Sequence, residues 1–308
     1  MAKFRDSALT EVDVPLGATG PVNDQQASPV HDRSIGTIIS ESRNLSPDQI
    51  EQILIYQREK GVRFGEAAVA LGLANIDDVV YALSQQFHYP YASEERRKLS
   101  PELVSLNQPF SHQAEAIRAI RSQLMMRVFI EGETPRRALA IVSPDAGDGK
   151  TFLAANLAVA LAQLGGRTLL VDADLRGPRQ HEVFKLDNHS GLSGVLSGRA
   201  ESNVIRQVVG VPSLFVMPVG IMPPNPLELV ERPAFGLLMR ELSAKFDHVV
   251  VDTPAFSLGS DASVIAARCG AALVVARKDE SKVEALQELV GMFAESPAKV
   301  VGVILNEF

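Results

Sequence analysis

The chain has 308 residues, 46% apolar and 22% charged, with a net charge of −7. That composition suits a globular protein with one sizeable core and a smaller module, and its acidic balance argues against a dedicated nucleic-acid binder. The single cysteine, Cys269, excludes an internal disulfide framework and suits a reducing compartment. It precedes the apolar run 271–276 and reads as a buried structural thiol. No apolar stretch reaches about 18 residues and no signal-peptide pattern opens the chain, so a cytoplasmic protein without direct membrane insertion is expected.

Residues 1–32 are polar and aperiodic and read as a disordered tail. The sequence then repeats itself. Ile35-Gly36-Thr37-Ile38-Ile39 with Leu45, Ile50 and Gln57 returns 29 residues later as Phe64-Gly65-Glu66-Ala67-Ala68 with Ala74, Val79 and Gln86. In each copy Ser46-Pro47-Asp48 or Asn75-Ile76-Asp77 supplies an N-cap for a short amphipathic helix. Two copies are too few for a solenoid and predict a small paired helical module over 33–91. This repeat resembles MshEN, the tandem N-terminal module of type II secretion and pilus-assembly ATPases. Arg63, Phe64, Gly65, Gly72 and Gln86 stand at motif positions, while Ala74 replaces Leu or Ile. The first copy departs further, with Ser34 (beside Arg33) in place of Arg or Lys and Arg43 in place of Gly. The resemblance implies cyclic di-GMP as a ligand, with Arg33, Gly36, Gln57, Arg63, Gly65 and Gln86 as the residues concerned.

Residues 92–111, with the run Glu94-Glu95-Arg96-Arg97-Lys98, read as a solvated linker. A helix is predicted over 112–127, with Glu115, Arg118 and Arg121 on one broad face. Spacing alone makes that a solvated face with a Glu–Arg pair. Beyond Arg136 apolar strands are predicted at 138–142, 167–171, 214–219, 248–251, 271–275 and 299–305, and helices at 152–164, 235–245, 262–267 and 282–293. Apolar runs without alternation, separated by helices, predict an α/β fold: a doubly wound, mostly parallel sheet spanning 112–308. Such sheets bind ligands beyond the carboxyl ends of their strands.

The chemistry-bearing residues fall at those ends. Strand 138–142 runs into Ser143-Pro-Asp-Ala-Gly-Asp-Gly-Lys-Thr151, a glycine loop opening a helix. Its backbone N–H groups suit nucleotide phosphates, Lys150 the β/γ oxygens and the Thr151 hydroxyl Mg²⁺. The standard pattern has Gly where this chain has Pro144. A second strand ends in Asp172-Ala-Asp174-Leu-Arg176 and a third in Asp252-Thr-Pro254. A lone pair of loop acids is usually solvated, but a third acid delivered to the same sheet edge suits a Mg²⁺ shell made with Thr151. The six histidines show no metal-ligand spacing.

Together these motifs resemble the bacterial tyrosine kinases of polysaccharide export, P-loop proteins related to the partition and septum-site ATPases. Glu115-x-x-Arg118-x-x-Arg121 matches that family's oligomerisation motif, which replaces the solvated-face reading. Pro223-Pro-Asn225-Pro226-Leu-Glu228 matches its proline-rich loop, and Gly191-Leu192-Ser193 to Leu196 the segment after its second Asp motif. Partition-type relatives carry a signature lysine at position 145, which is Asp here. The resemblance implies an ATP site formed by Asp145, Ala146, Gly147, Asp148, Gly149, Lys150, Thr151, Phe152, Arg176 and Asn306. It implies Mg²⁺ held by Thr151, Asp174 and Asp252, and Asp172 as base or orienter for the attacking hydroxyl, so that Lys150, Asp172, Asp174 and Asp252 form the catalytic set. It also implies a homo-oligomer, and a membrane chain-length determinant (polysaccharide co-polymerase) as the partner that recruits and activates the kinase.

That family normally ends in a tyrosine-rich tail, whereas this sequence closes on Asn306-Glu307-Phe308 and its only tyrosines are Tyr56, Tyr81, Tyr89 and Tyr91. Tyr56 and Tyr81 are expected to pack within the repeat. Tyr89 and Tyr91 are the better acceptor candidates, although local burial suits them as well. The sequence therefore predicts an ATP/Mg²⁺-dependent tyrosine autokinase regulating exopolysaccharide export. Two alternatives stand beside it: a non-kinase ATPase switch for the export complex, and a cyclic di-GMP-sensing module on an ATPase scaffold.

Overall fold

A computed structural model describes residues 34–86, 99–109, 111–130, 132, 134–199 and 203–307. The tail over 1–32, Arg33, Tyr89, Tyr91 and the charged run 94–98 lie outside the described residues. The described chain divides into two compact units, one helical over 34–86 and one built on a sheet over 99–307.

The helical unit has four helices, α1 (Ile35–Arg43), α2 (Pro47–Lys60), α3 (Phe64–Ala70) and α4 (Ile76–Gln86), so each copy of the repeat is a helix pair. Both predicted caps form. Ser46 Oγ accepts from Gln49 N at 3.3 Å while Gln49 Oε1 accepts from Ser46 N at 2.9 Å. Asn75 Oδ1 accepts from Asp78 N at 2.9 Å while Asp78 Oδ2 accepts from Asn75 N at 2.7 Å. These reciprocal bonds satisfy main-chain donors that a helix start leaves unpaired. Ile38, Ile39, Ile53, Ala67, Ala68 and Ala82 form the core, and Tyr56 and Tyr81 pack against it as expected.

The sheet unit runs α5 (Val104–Asn107), α6 (His112–Arg127), β1 (Ala138–Val142), α7 (Lys150–Ala162), β2 (Thr168–Asp172), α8 (Gln180–Val183) and α9 (Leu192–Leu196). It continues through β3 (Arg206–Gln207), β4 (Leu214–Met217), α10 (Pro226–Glu231), α11 (Pro233–Lys245), β5 (His248–Asp252), α12 (Asp261–Cys269), β6 (Gly270–Arg277), α13 (Val283–Ala294) and β7 (Lys299–Asn306). The sheet order is β3-β4-β2-β5-β1-β6-β7. Every pairing is parallel except β3 with β4. All six predicted strands are present; β3, two residues without an apolar run, is the addition.

One face of the sheet carries Ala140, Val142, Leu169, Val171, Val249 and Val251 into a core with Phe235, Leu238 and Leu242 of α11 and Ile265 of α12. Each buried Val, Leu, Ile or Phe side chain among them contributes about 1.5–3 kcal/mol. Alternation along the strands turns Leu170, Asp172, Val250 and Asp252 to the opposite face, that of α7. Helix α7 is buried nearly all round, as a helix apolar on every side must be. It lies between the sheet and α5–α6.

The expected solvated linker is corrected here at its carboxyl end, because Leu103, Val104 and Leu106 are buried. Asn156, fully enclosed within α7, explains why. Its Oδ1 accepts from Ser105 N at 2.9 Å, and its Nδ2 donates to Glu102 O at 2.8 Å and Phe152 O at 3.0 Å. No helix among the described residues is long and apolar enough to cross a membrane.

Candidate functional site

Beyond β1 the chain forms the loop that opens α7. The two glycines stand where the backbone needs them, Gly147 at φ 88° and Gly149 at φ 101°. An L side chain disfavours those values. Pro144 is accommodated because its position uses only a carbonyl, which accepts from Ser257 N at 2.9 Å. Lys150 folds back over the loop, donating to Ser143 Oγ at 2.8 Å and Asp145 O at 3.2 Å. Burial lowers its pKa, opposed by Asp252, Asp174, Asp148 and Asp145 around it. Asp148 braces the loop: its Oδ2 accepts from Asp145 N at 2.9 Å and its Oδ1 from Ser281 Oγ at 2.9 Å. Asn306, at the end of β7, donates to Asp148 O at 3.0 Å.

The acids sit where the sheet predicts, but not alike. Asp172 and Asp252 are register partners on β2 and β5, and both are fully buried. Asp172 Oδ1 accepts from Asp174 N at 3.2 Å and Oδ2 from Gln180 N at 3.0 Å. Burial, and then the neighbouring Asp252, push the Asp172 pKa well above the usual carboxylate range. Burial also pushes Asp252 up to about 6, opposed by the hydrogen bond from Gln180 and by the nearby Thr151 hydroxyl, which makes no bond of hydrogen-bond geometry to it. Asp174 is only half-buried, its Oδ1 accepting from Arg176 N and Gly177 N at 3.1 and 2.9 Å.

A cavity of about 680 Å³ opens over the loop, lined by Ala146, Gly147, Gly149, Lys150, Thr151, Phe152, Asp174, Arg176 and Asn306. Glu102, Gln113, Arg179 and Leu258 extend its wall. Asp145, Asp148, Asp172 and Asp252 support it from outside that lining. Arg176 is turned to the wall rather than the loop, donating from Nε and Nη2 to Asp261 Oδ2 at 3.1 and 2.8 Å. Gln180, Ser281, Asn156 and Asp261 were not singled out by sequence. None stands in a motif, and only the fold brings them to the site.

Among the described residues no three His, Cys, Asp or Glu side chains converge as a metal cluster. The donor set nonetheless suits Mg²⁺, which takes few carboxylates alongside phosphate oxygens, waters and a hydroxyl. Asp252 Oδ1 is buried without a hydrogen-bond partner, beside Thr151. An acceptor left so is costly unless a ligand or water fills it.

None of the remaining candidates is among the residues that line this cavity. Arg118 Nε donates to Glu115 Oε2 at 2.9 Å, Arg118 Nη1 to Pro109 O at 2.6 Å, and Arg121 Nη1 to Ala160 O at 2.8 Å. The triad thus makes contacts inside its own chain, and through Arg121 one of them joins α6 to α7. In the helical unit, Gly65 allows α3 close to α4, since a Cβ there would meet Val79 Cγ1 at 2.8 Å. Gly36 lies over the Phe64 ring, Arg63 caps α3 through its N–H to Glu66 Oε2 at 2.9 Å, and Gln57 is half-buried on α2. Gln86 ends α4, and Arg33 is not described. The 191–193 segment and the approach to the proline-rich loop meet: Leu192 N donates to Pro218 O at 2.9 Å and Ser193 Oγ to Ile221 O at 2.6 Å. Cys269 is buried, and burial pushes its thiol pKa up, as a structural role requires.

Residues 139–308 match the profile of the CobQ/CobB/MinD/ParA nucleotide binding domain. The chain is 33% identical over 215 residues to CapB of Staphylococcus aureus, covering 70% of this chain and 92% of CapB. It is 31% identical over 211 residues to the tyrosine-protein kinase wzc of Salmonella typhi, covering 68% of this chain and 29% of wzc. It therefore spans most of CapB but under a third of wzc. Among solved structures, the kinase domain of the Escherichia coli tyrosine kinase ETK matches with TM-score 0.64 and 32% identity, covering 68% of this chain and 81% of that one. The chimerical protein CapA2B2 matches with TM-score 0.61 and 31% identity, covering 73% and 97%.

Proposed function

The chain belongs to the CobQ/CobB/MinD/ParA nucleotide-binding family, on its bacterial tyrosine-kinase side, and from that premise we propose that it is an ATP- and Mg²⁺-dependent protein tyrosine kinase of exopolysaccharide export. One observation carries the reading. Lys150, Thr151 and Asp174 face a single cavity at the strand ends, and Asp252 beneath them keeps one oxygen without a partner.

In this reading the loop N–H groups and Lys150 hold the ATP phosphates, Lys150 exchanging Ser143 Oγ and Asp145 O for phosphate oxygens. Thr151, Asp174 and Asp252 hold Mg²⁺, directly or through water; when bound, the ion neutralises phosphate charge in the transition state. Asp172, with both oxygens accepting from main-chain N–H groups, orients the loop from 172 to 180. Asp174 is the acid presented to an incoming hydroxyl. Phe152, Arg176 and Asn306 complete the nucleotide wall. Positioning and charge neutralisation are most of what phosphoryl transfer requires, so this set is chemically sufficient.

The acceptor is a tyrosine of this chain or of a partner, with Tyr89 and Tyr91 the candidates in this sequence. Recruitment by a membrane polysaccharide co-polymerase, assembly through Glu115, Arg118 and Arg121, and cyclic di-GMP at the helical unit rest on the resemblances alone. The test is phosphosite mapping after incubation with ATP and Mg²⁺, wild type beside Lys150→Met. Phosphotyrosine in the wild type alone is the expected result. Nucleotide binding with no phosphotyrosine on this chain or any added partner would leave the ATPase-switch reading in its place.

A further inference from the structure

Asp172 and Asp252 stand side by side, register partners on adjacent strands and turned to the same face. Like charges directly across a strand pair repel, and neither carboxylate here reaches water that could screen the other. One residue serves both acids. The Gln180 N–H donates to Asp172 Oδ2 at 3.0 Å, while its Nε2 donates to Asp252 Oδ2 at 2.8 Å and to Thr151 O at 3.2 Å. Gln180 is itself fully buried. The amide can face only one way, because both side-chain partners are acceptors and only the NH₂ can donate to them. Two buried atoms at this junction remain without a partner, Asp252 Oδ1 and Gln180 Oε1.

We propose that Gln180 is a positioning residue of the Mg²⁺–phosphate site. By occupying one oxygen of Asp252 and the carbonyl of Thr151, its amide commits the other Asp252 oxygen to the ion's shell, and its own Oε1 accepts from a water of that shell. This rests on the nucleotide-site reading above and deepens it. Groups that orient a metal's ligands typically govern metal affinity by about 10–100-fold.

The test titrates ADP calorimetrically into the full chain, once with excess MgCl₂ and once with EDTA. Gln180→Met keeps the length and the main-chain N–H but removes the donor. It should leave ADP affinity in EDTA within about twofold of wild type and reduce the Mg²⁺ enhancement about tenfold or more. Val183→Ala, which loosens the core contact of α8 and spares the amide, should lower the melting temperature and keep the enhancement. Should Gln180→Met fail to melt cooperatively, Gln180→Asn, an amide one methylene too short to span both acceptors, carries the same expectation. A wild-type enhancement in the Gln180 variants would overturn the proposal, as would equal losses in MgCl₂ and EDTA, the mark of a merely structural role. A wild type that binds no ADP would instead sink the nucleotide-site reading itself.

Discussion

Replacing Asp252 with Asn should stabilise the protein while disabling its site. Burial is the leading cause holding the Asp252 pKa at about 6 against an ordinary 3.8. The folded chain therefore holds this proton more tightly than the unfolded one. Below about pH 3.8 both states are protonated and the group contributes nothing. Between there and about pH 6 the unfolded chain ionises first and stability falls, and above about pH 6 the loss is constant. At 1.36 kcal/mol per unit, ionised Asp252 costs about 3 kcal/mol at pH 8 and about half that at pH 5. Asn has the same shape, stays neutral and still accepts from Gln180. In urea unfolding with EDTA and no nucleotide, Asp252→Asn should gain about 2–3 kcal/mol at pH 8, shrinking to about 1–2 at pH 5. Calorimetry on the same variant should show the Mg²⁺ enhancement of ADP binding gone. A variant less stable than wild type at pH 8, or a gain that does not shrink on acidification, would refute the reasoning.

Lys150→Met should weaken ADP binding about tenfold or more, the loss of a charge-assisted hydrogen bond to phosphate; unchanged affinity by calorimetry would remove Lys150 from the phosphate site. Asn156→Ala should cost about 2–4 kcal/mol in urea unfolding, because three buried bonds to residues 102, 105 and 152 are lost together. A loss below about 0.5 kcal/mol would mean the 99–109 segment is held by its apolar residues alone. Gly65→Ala should destabilise the helical unit by about 1–3 kcal/mol, since the new Cβ would sit 2.8 Å from Val79 Cγ1 and outweigh the gain in helix propensity; a raised melting temperature of that unit would show that α3 and α4 spread freely.

The strands and the phosphate loop were legible because they depend on near neighbours in sequence. An unbroken apolar run such as 249–251 announces a strand buried on both faces, and the glycines at 147 and 149 announce the turn that follows β1. The capping pairs Ser46–Gln49 and Asn75–Asp78 are local in the same way. What stayed hidden is non-local. Gln180 is an ordinary polar residue until β2 and β5 pair in register and leave two acids to be bridged. Asn156 interrupts an apolar helix with no visible partner, because its partners lie about fifty residues earlier. Leu103, Val104 and Leu106 follow a charged run in sequence, and only their burial distinguishes them from a solvated linker. The role of Arg176 was drawn from its motif; its engagement with Asp261, 85 residues later, could not be.

The bond from Asn306 to Asp148 has a practical consequence for measurement. Asn306, the last residue of β7, lines the nucleotide cavity and braces its loop. A fluorescent protein inserted beside Asn306 would share the cavity wall with the nucleotide and disturb the bond that braces the loop. Affinities from such a fusion would describe the appendage as well as the enzyme. The titrations above are therefore best followed by heat rather than by a reporter attached beside Asn306.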